Sequence, residues 1–409
     1  MADILPDFLD DKFLTGCLQG EFGSSTIVTH FEAESAVAEG ENFASCILRV
    51  KCFYKRSDSK KLESTSLILK APKQQGVTDM IFTKECKEQY FYSNIVPKLS
   101  SLHTVDYVPK SYKCKNPLVV VMEDLNVMGF KVPNRRDQLD FEHCKFCIQS
   151  LAKLQATSIV VGQQDPKYFE HFKSNSFKIF NKNPFLNKIC PIITSIGANS
   201  LADSVRGLSQ YEDIVDILDK VSKTLWEFVL VSGDTEHALN SLIQFDVWPS
   251  NFMFKYDKFR KVESVKVLDF QLYSFSPAVI DIVTFIWRGA NNDVRETRLD
   301  ELFHIYVDTL NGLLSDLGSS TRLTFSQLKE QLEILSPWAL FAVCFYLPVG
   351  QLKEPLPLET LFEYCEKEPR KYYDLLMKQF KEPSTVFPSI LLHLKAQGVF
   401  ESISKLYIK

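Results

Sequence analysis

The chain has 409 residues, 45% of them hydrophobic and 24% charged, the balance of a folded globular protein and longer than the ~250–300 residues at which single cores stop growing. Two lobes or domains are therefore expected. A net charge of −4 gives no bulk attraction to nucleic acid or acidic membranes, and no run of about 18 or more apolar residues offers a membrane span.

The opening Met-Ala-Asp-Ile-Leu-Pro-Asp-Phe has neither a basic region nor a continuous apolar stretch, so no secretory signal is expected. The ten cysteines are scattered, mostly in apolar runs, which fits reduced core thiols. The reading is a soluble, cytoplasmic protein with no nucleic-acid partner and no evident obligate protein partner.

Residues 45–54 and 66–71 carry short apolar runs separated by polar residues 55–64, the pattern of two strands and a hairpin connection. A helical pattern begins near Asp79 and runs to Asn94, where Pro97 should stop it. Residues 118–122 are continuously apolar and β-branched, as in a buried strand. The strand ends at Glu123-Asp124, and Gly129 and Pro133 then signal a loop. The lobe boundary is placed here, with residues 1–125 as the first lobe and 126–409 as the second.

Leu139, Phe141, Cys144, Ile148 and Leu151 share one helical face. Cys144 and Cys147 are the only close cysteine pair, and no second pair or spaced histidines follow to complete a zinc site, so core packing is expected of them. Residues 251–256 and 262–269 read as strands joined by the polar connection 257–261. Helices resume through 282–288, 301–314 and 325–335.

Asn251 and Asp269 each lie nine positions from Arg260. Antiparallel pairing about that turn would bring both to the open end of the hairpin, with Asp246 on the same approach. Magnesium takes one or two protein oxygens together with phosphate oxygens and water. An aspartate, an asparagine five residues later and a strand-end aspartate form the layout in which the first faces a substrate hydroxyl and the other two hold the metal. Asp and Asn are also common turn residues, and an isolated Asp-x₄-Asn carries little weight. The second aspartate across the hairpin changes that balance, while Trp248 reads as packing.

At these residues the sequence resembles the ecdysteroid kinase-like family, within the wider choline kinase and aminoglycoside phosphotransferase group. Gly40-Glu-Asn-Phe-Ala-Ser45 resembles the family's nucleotide-covering turn, implicating Gly40, Asn42 and Ser45. Leu67-Ile-Leu-Lys70 resembles the strand bearing its phosphate-binding lysine, and Glu88-Gln-Tyr-Phe-Tyr92 with Pro97 the helix whose glutamate pairs with that lysine. Val119-Val-Val-Met-Glu-Asp-Leu125 resembles the hinge, and Leu151-Ala-Lys-Leu-Gln-Ala-Thr-Ser158 the long helix of the second lobe. Asp246-Val-Trp-Pro-Ser-Asn251, Val267-Leu-Asp-Phe-Gln271 and Ser276-Pro-Ala-Val-Ile-Asp281 resemble three further signatures.

The resemblance implies an α+β, protein-kinase-like fold, with a small, mostly antiparallel β lobe and a larger helical lobe containing the catalytic hairpin. It implies transfer of phosphate from ATP, with Mg²⁺, to a hydroxyl of an ecdysteroid or related lipophilic alcohol. Lys70 would neutralise phosphate charge and Glu88 would orient it, with Glu85 as an alternative partner. The backbone of Glu123 to Leu125 would face adenine. Asp246 would be catalytic, and Asn251 and Asp269 would hold the metal. Alone, Lys70 and Glu88 read rather as a surface lysine and a helix-face glutamate. Asp281 reads as a helix N-cap or as a residue steadying the catalytic loop.

Family members usually carry His-Gly before the catalytic aspartate, where this chain has Gln244-Phe245, and His where Gln155 stands. If that glycine serves a φ above zero, Phe245 would be strained or would shift the loop. Two other readings follow: a pseudokinase that binds nucleotide or sterol without efficient turnover, and a choline- or aminoglycoside-type kinase. A cationic acceptor would need an acidic or aromatic cage. The segment with Trp338, Phe341, Phe345 and Tyr346 is aromatic enough for one, but its spacing is also that of ordinary core.

Overall fold

Alternating side chains in residues 45–57 and 61–72 become the two faces of one sheet, because successive strand residues point to opposite sides. The computed structural model describes residues 6–36, 45–57, 61–72, 86–170, 184–233, 238–353, 363–364, 367–379 and 383–408. Strands β1 (Ile27–Ser35), β2 (Ser45–Lys55), β3 (Glu63–Pro72), β4 (Ser111–Tyr112) and β5 (Val120–Glu123) pair antiparallel in the order β1-β2-β3-β5-β4.

One face is apolar. Leu48, Val50, Cys52 and Tyr54 of β2 join Leu67 and Leu69 of β3 in a core with Leu14, Cys17 and Leu18 of α1 (Asp11–Phe22). Each fully buried leucine here contributes about 1.5–3 kcal/mol relative to exposure. Asp10 caps α1 by accepting the Phe13 N–H at 2.6 Å. The opposite face is polar. Register pairs Glu34 with Arg49, Glu32 with Lys51, Lys51 with Ser66, and Ile47 with Lys70, which sets these residues on one side of the sheet.

Lys87–Tyr90, a π turn at Phe91–Ile95 and Val96–Ser100 follow one another as helix α2. Pro97 does not stop this helix, contrary to expectation. It has no N–H to give to an earlier carbonyl, and the wide turn immediately before it accommodates the break in the ladder. The expected start near Asp79 lies outside the described residues, as does Glu85.

The chain divides into two units: residues up to Lys131 with Lys266–Gln271, and Val132–Val265 with Leu272–Lys409. The turn after β5 stays with the first unit because Met128 and Phe130 both donate their N–H to Leu125 O. Segment 266–271 is held in the same unit by Val267 N–H on Tyr107 O at 2.7 Å and Lys266 Nζ on Val108 O at 2.9 Å.

In the second unit, α3 (Phe141–Gln164) is capped by Asp140, which accepts the His143 N–H at 3.1 Å. Cys144 and Cys147 are fully buried on it, and burial pushes both thiols up. Among the described residues no cluster of His, Cys, Asp and Glu is arranged to hold a metal. Helices α4 (Pro184–Val205), α5 (Glu212–Val221) and α6 (Leu225–Ser232) follow.

Strand β6 (Asn240–Ile243) pairs with β9 (Ser274–Pro277), and β7 (Phe252–Tyr256) with β8 (Val262–Val267). The expected turn between β7 and β8 closes at Asp257 and Lys261, with Arg260 at φ 64°. Helices α7 (Val279–Gly289), α8 (Asn292–Thr297), α9 (Leu299–Asp316) and α10 (Phe325–Ile334) come next. Ser336–Phe341, a π turn at Ala342–Tyr346 and Leu347–Gly350 make α11, where the wide turn again precedes a proline, Pro348. Helices α12 (Pro369–Gln379), α13 (Pro383–Ala396) and α14 (Val399–Leu406) complete the unit. Among the described residues, no single helix is long and apolar enough to cross a membrane.

Candidate active site

Lys70 projects from the polar face of β3 and is only 8% exposed. Its ammonium meets Glu88 Oε2 at 2.7 Å and Asp269 Oδ1 at 2.7 Å. Neither a surface lysine nor an open helix-face glutamate describes this pair, since Glu88 is 3% exposed. Burial pulls the Lys70 ammonium down, but Asp269 and Glu88 more than reverse this and leave it above its ordinary value. Burial pushes the Glu88 carboxyl up, Lys70 draws it back, and the net direction is upward.

Glu88 also fixes the segment that carries Asp269. Its Oε1 accepts the Phe270 N–H at 3.1 Å. Phe270 is fully buried and stacks on Phe91, ring centres 3.8 Å apart, within the π turn of α2. Asp269 itself sits at φ 60°, a left-handed conformation that aspartate tolerates better than most residues. Gln271 Nε2 donates to Asp269 Oδ2 at 3.2 Å.

A cavity of about 660 Å³ opens on the polar side of the sheet, lined in part by Glu34, Arg49, Lys51, Ser66 and Asp124. Asp124 is 3% exposed. It accepts from Arg49 Nε at 2.8 Å, Ser66 Oγ at 2.7 Å and the Asn126 N–H at 3.1 Å. In the segment expected to face adenine, the Glu123 N–H is taken by Lys110 O and the Leu125 carbonyl by its own turn. Ser45 is buried at the start of β2. Gly40 and Asn42 lie outside the described residues.

In the second unit, a 3₁₀ turn at Pro249–Asn251 follows Asp246. Asn251 Nδ2 donates to Asp246 O at 2.8 Å and to Asp246 Oδ2 at 3.2 Å, so its amide nitrogen is spent on the loop. The side-chain carbonyl oxygen is then the atom suited to a hard cation. Asp246 Oδ1 accepts from Arg288 Nη1 at 2.6 Å. Asn251 thus stands in the second unit and Asp269 in the first.

Asp281 is not the N-cap of α7, because it lies inside the first turn and Ala278 holds the cap position. Its two oxygens accept the N–H groups of Gln244 and Phe245, each at 2.9 Å, and so fix the residues before Asp246. Burial pushes its carboxyl up to about 7, against the lowering effect of these donors. Phe245 adopts φ 74° in this grip. Gln155 contributes a buried bridge, donating to Ala278 O at 2.9 Å and accepting from Tyr306 Oη at 2.7 Å.

Sequence reasoning missed Arg49, Asp124 and Arg288. Arg49 carries a strand-alternation signal, but nothing local marks Asp124 or Arg288 as its partner or that of Asp246.

The five-strand antiparallel sheet that carries the buried lysine–glutamate pair, and the mainly helical unit that carries the Asp-x₄-Asn loop, make up the α+β, kinase-like fold that was expected. A model of the ecdysteroid kinase-like family matches residues 39–319, and the chain belongs to that family. Membership supports a small-molecule kinase. No curated protein matches the chain. Among solved structures, it is similar to choline kinase LicA from Streptococcus pneumoniae, with 11% identity, 90% of this chain and 98% of that one covered, and a TM-score of 0.34. A choline/ethanolamine kinase family protein from Mesorhizobium loti gives 10% identity, 90% and 94% coverage, and a TM-score of 0.34. At that score neither defines how this chain works.

Proposed function

We propose that this protein transfers phosphate from ATP, with Mg²⁺, to a hydroxyl of a lipophilic alcohol, an ecdysteroid or related sterol. The observation that carries the reading is the buried Lys70 bridging Glu88 and Asp269. A cation held between two carboxylates on the polar sheet face suits the negative charge of a nucleotide's phosphates.

Asn251 and Asp269 would each offer Mg²⁺ an oxygen of the kind a hard cation takes. Bound there, Mg²⁺ would neutralise charge on the phosphates. Lys70 would hold the nucleotide phosphates, and Glu88 keeps Lys70 and the Asp269 segment in place. Asp246 would orient the acceptor hydroxyl and receive its proton, while Asp281 holds the backbone that presents Asp246.

The test is transfer of labelled phosphate from ATP to a panel of ecdysteroids, sterols and polar alcohols. Asp246→Ala should lower turnover by about 10²–10⁴-fold, the range of general-base contributions, with nucleotide binding retained. Absence of transfer to every acceptor, together with absence of Mg²⁺-dependent nucleotide binding, would overturn the proposal.

A second reading, a binding protein without efficient turnover, is favoured by Phe245 at φ 74° and by the Arg288 ion pair on Asp246. Ligand-induced thermal stabilisation, with any trace turnover unchanged in Asp246→Ala, would select it.

A further inference from the structure

Cationic ligands are recognised by aromatic faces beside a carboxylate. This chain builds such a cage and fills it with its own side chain. Arg288, within α7 and 7% exposed, sets its guanidinium carbon 4.4 Å from the Trp248 ring centre and 4.7 Å from that of Tyr346. Its Nη1 donates to Asp246 Oδ1 at 2.6 Å. All four residues belong to the second unit.

We infer that Arg288 is a specificity-determining residue that occupies this cage, rejects cationic acceptors and reserves the site for an uncharged alcohol. The inference rests on reading Asp246 as the carboxylate that faces the acceptor. Two rings and a carboxylate are what an ammonium alcohol requires there. A second unit of positive charge would be repelled by the guanidinium already present and would find Asp246 neutralised.

The surroundings keep the arginine in place. Trp248 lies between Asp246 and Asn251 in sequence, and its ring lies beside Gly350, where a Cβ would meet it in ordinary contact at 3.7 Å. Tyr346 closes the π turn of α11. Arg288 Nε and Trp248 Nε1 are buried without a hydrogen-bond partner. Two unspent donors in this cluster suit an oxygen-bearing acceptor, not a positively charged one.

Choline and 3,3-dimethylbutan-1-ol have the same shape and differ by a quaternary nitrogen in place of a carbon. Equilibrium titration of the full chain with each compound tests the inference without requiring phosphate transfer. The wild type should show no saturable choline binding. R288M, checked for folding by circular dichroism, should prefer choline over the carbon isostere by about tenfold or more as the cage opens. R288K retains a cation and should behave as the wild type.

Saturable choline binding to the wild type that D246N abolishes would overturn the inference, and this arm decides alone should R288M fail to fold. A folded R288M without choline preference would also overturn it. Failure of the kinase reading would appear separately, as absent Mg²⁺-dependent nucleotide binding.

Discussion

Phe245 holds a φ of 74° while donating its backbone N–H to Asp281 Oδ1 at 2.9 Å. A bulky residue in left-handed backbone is strained, and here the strain is sustained by a buried carboxylate on one side and ring packing on the other, with Trp338 centred 5.7 Å away.

F245G should therefore be more stable than F245A, by about 1 kcal/mol, reversing the usual order of the two residues. Both variants lose the ring, so their difference isolates the backbone. Urea denaturation of the pair measures it, and an alanine variant as stable as the glycine one would remove strain from the account.

Asp281 predicts a pH dependence of stability. Its folded carboxyl is raised to about 7 from an ordinary 3.8, so between those values the native state holds more proton than the unfolded state. Stability from this group is complete below about pH 4 and is lost as pH rises through about 7. D281N should flatten that decline, as read from melting temperature against pH. An unchanged slope would place the titration elsewhere.

Lys70 meets Asp269 across 199 positions of sequence. K70M leaves Glu88 buried beside a second carboxylate, and removing one partner of a buried pair costs about 3–5 kcal/mol. The double variant K70M/E88Q should recover part of that stability without recovering nucleotide affinity. Chemical denaturation and nucleotide titration separate the two effects; if E88Q adds its own full loss to K70M, the pair is not coupled.

Metal dependence should follow Asn251 and Asp269. Chelation by EDTA should abolish the thermal shift produced by ATP. In N251A and D269N the Mg²⁺ concentration giving half of that shift should rise at least about tenfold, the scale on which even the partners of metal ligands act. An unaltered midpoint in both variants would exclude them as ligands.

Much of this molecule is legible locally. The apolar runs at 45–54 and 66–71 mark two strands joined by a hairpin, although β3 already begins at Glu63, inside the stretch expected to be connection. The polar stretch 257–261 specifies the turn between β7 and β8, and the spacing of Asp246 and Asn251 brings both into one short loop. Cys144 and Cys147 are buried on α3, as their helical pattern implies. Pro97 misled because a proline signals a break in α-helical bonding, whereas a π turn absorbs the same break without ending the helix.

The amino-acid sequence by itself determined these periodicities, turns and short-range spacings, since each depends on backbone geometry over a few residues. Only the tertiary structure decided that Arg49 meets Asp124 across 75 positions and that Arg288 meets Asp246 across 42. Such pairs depend on how strands register and helices pack, and no local preference of either partner encodes the other.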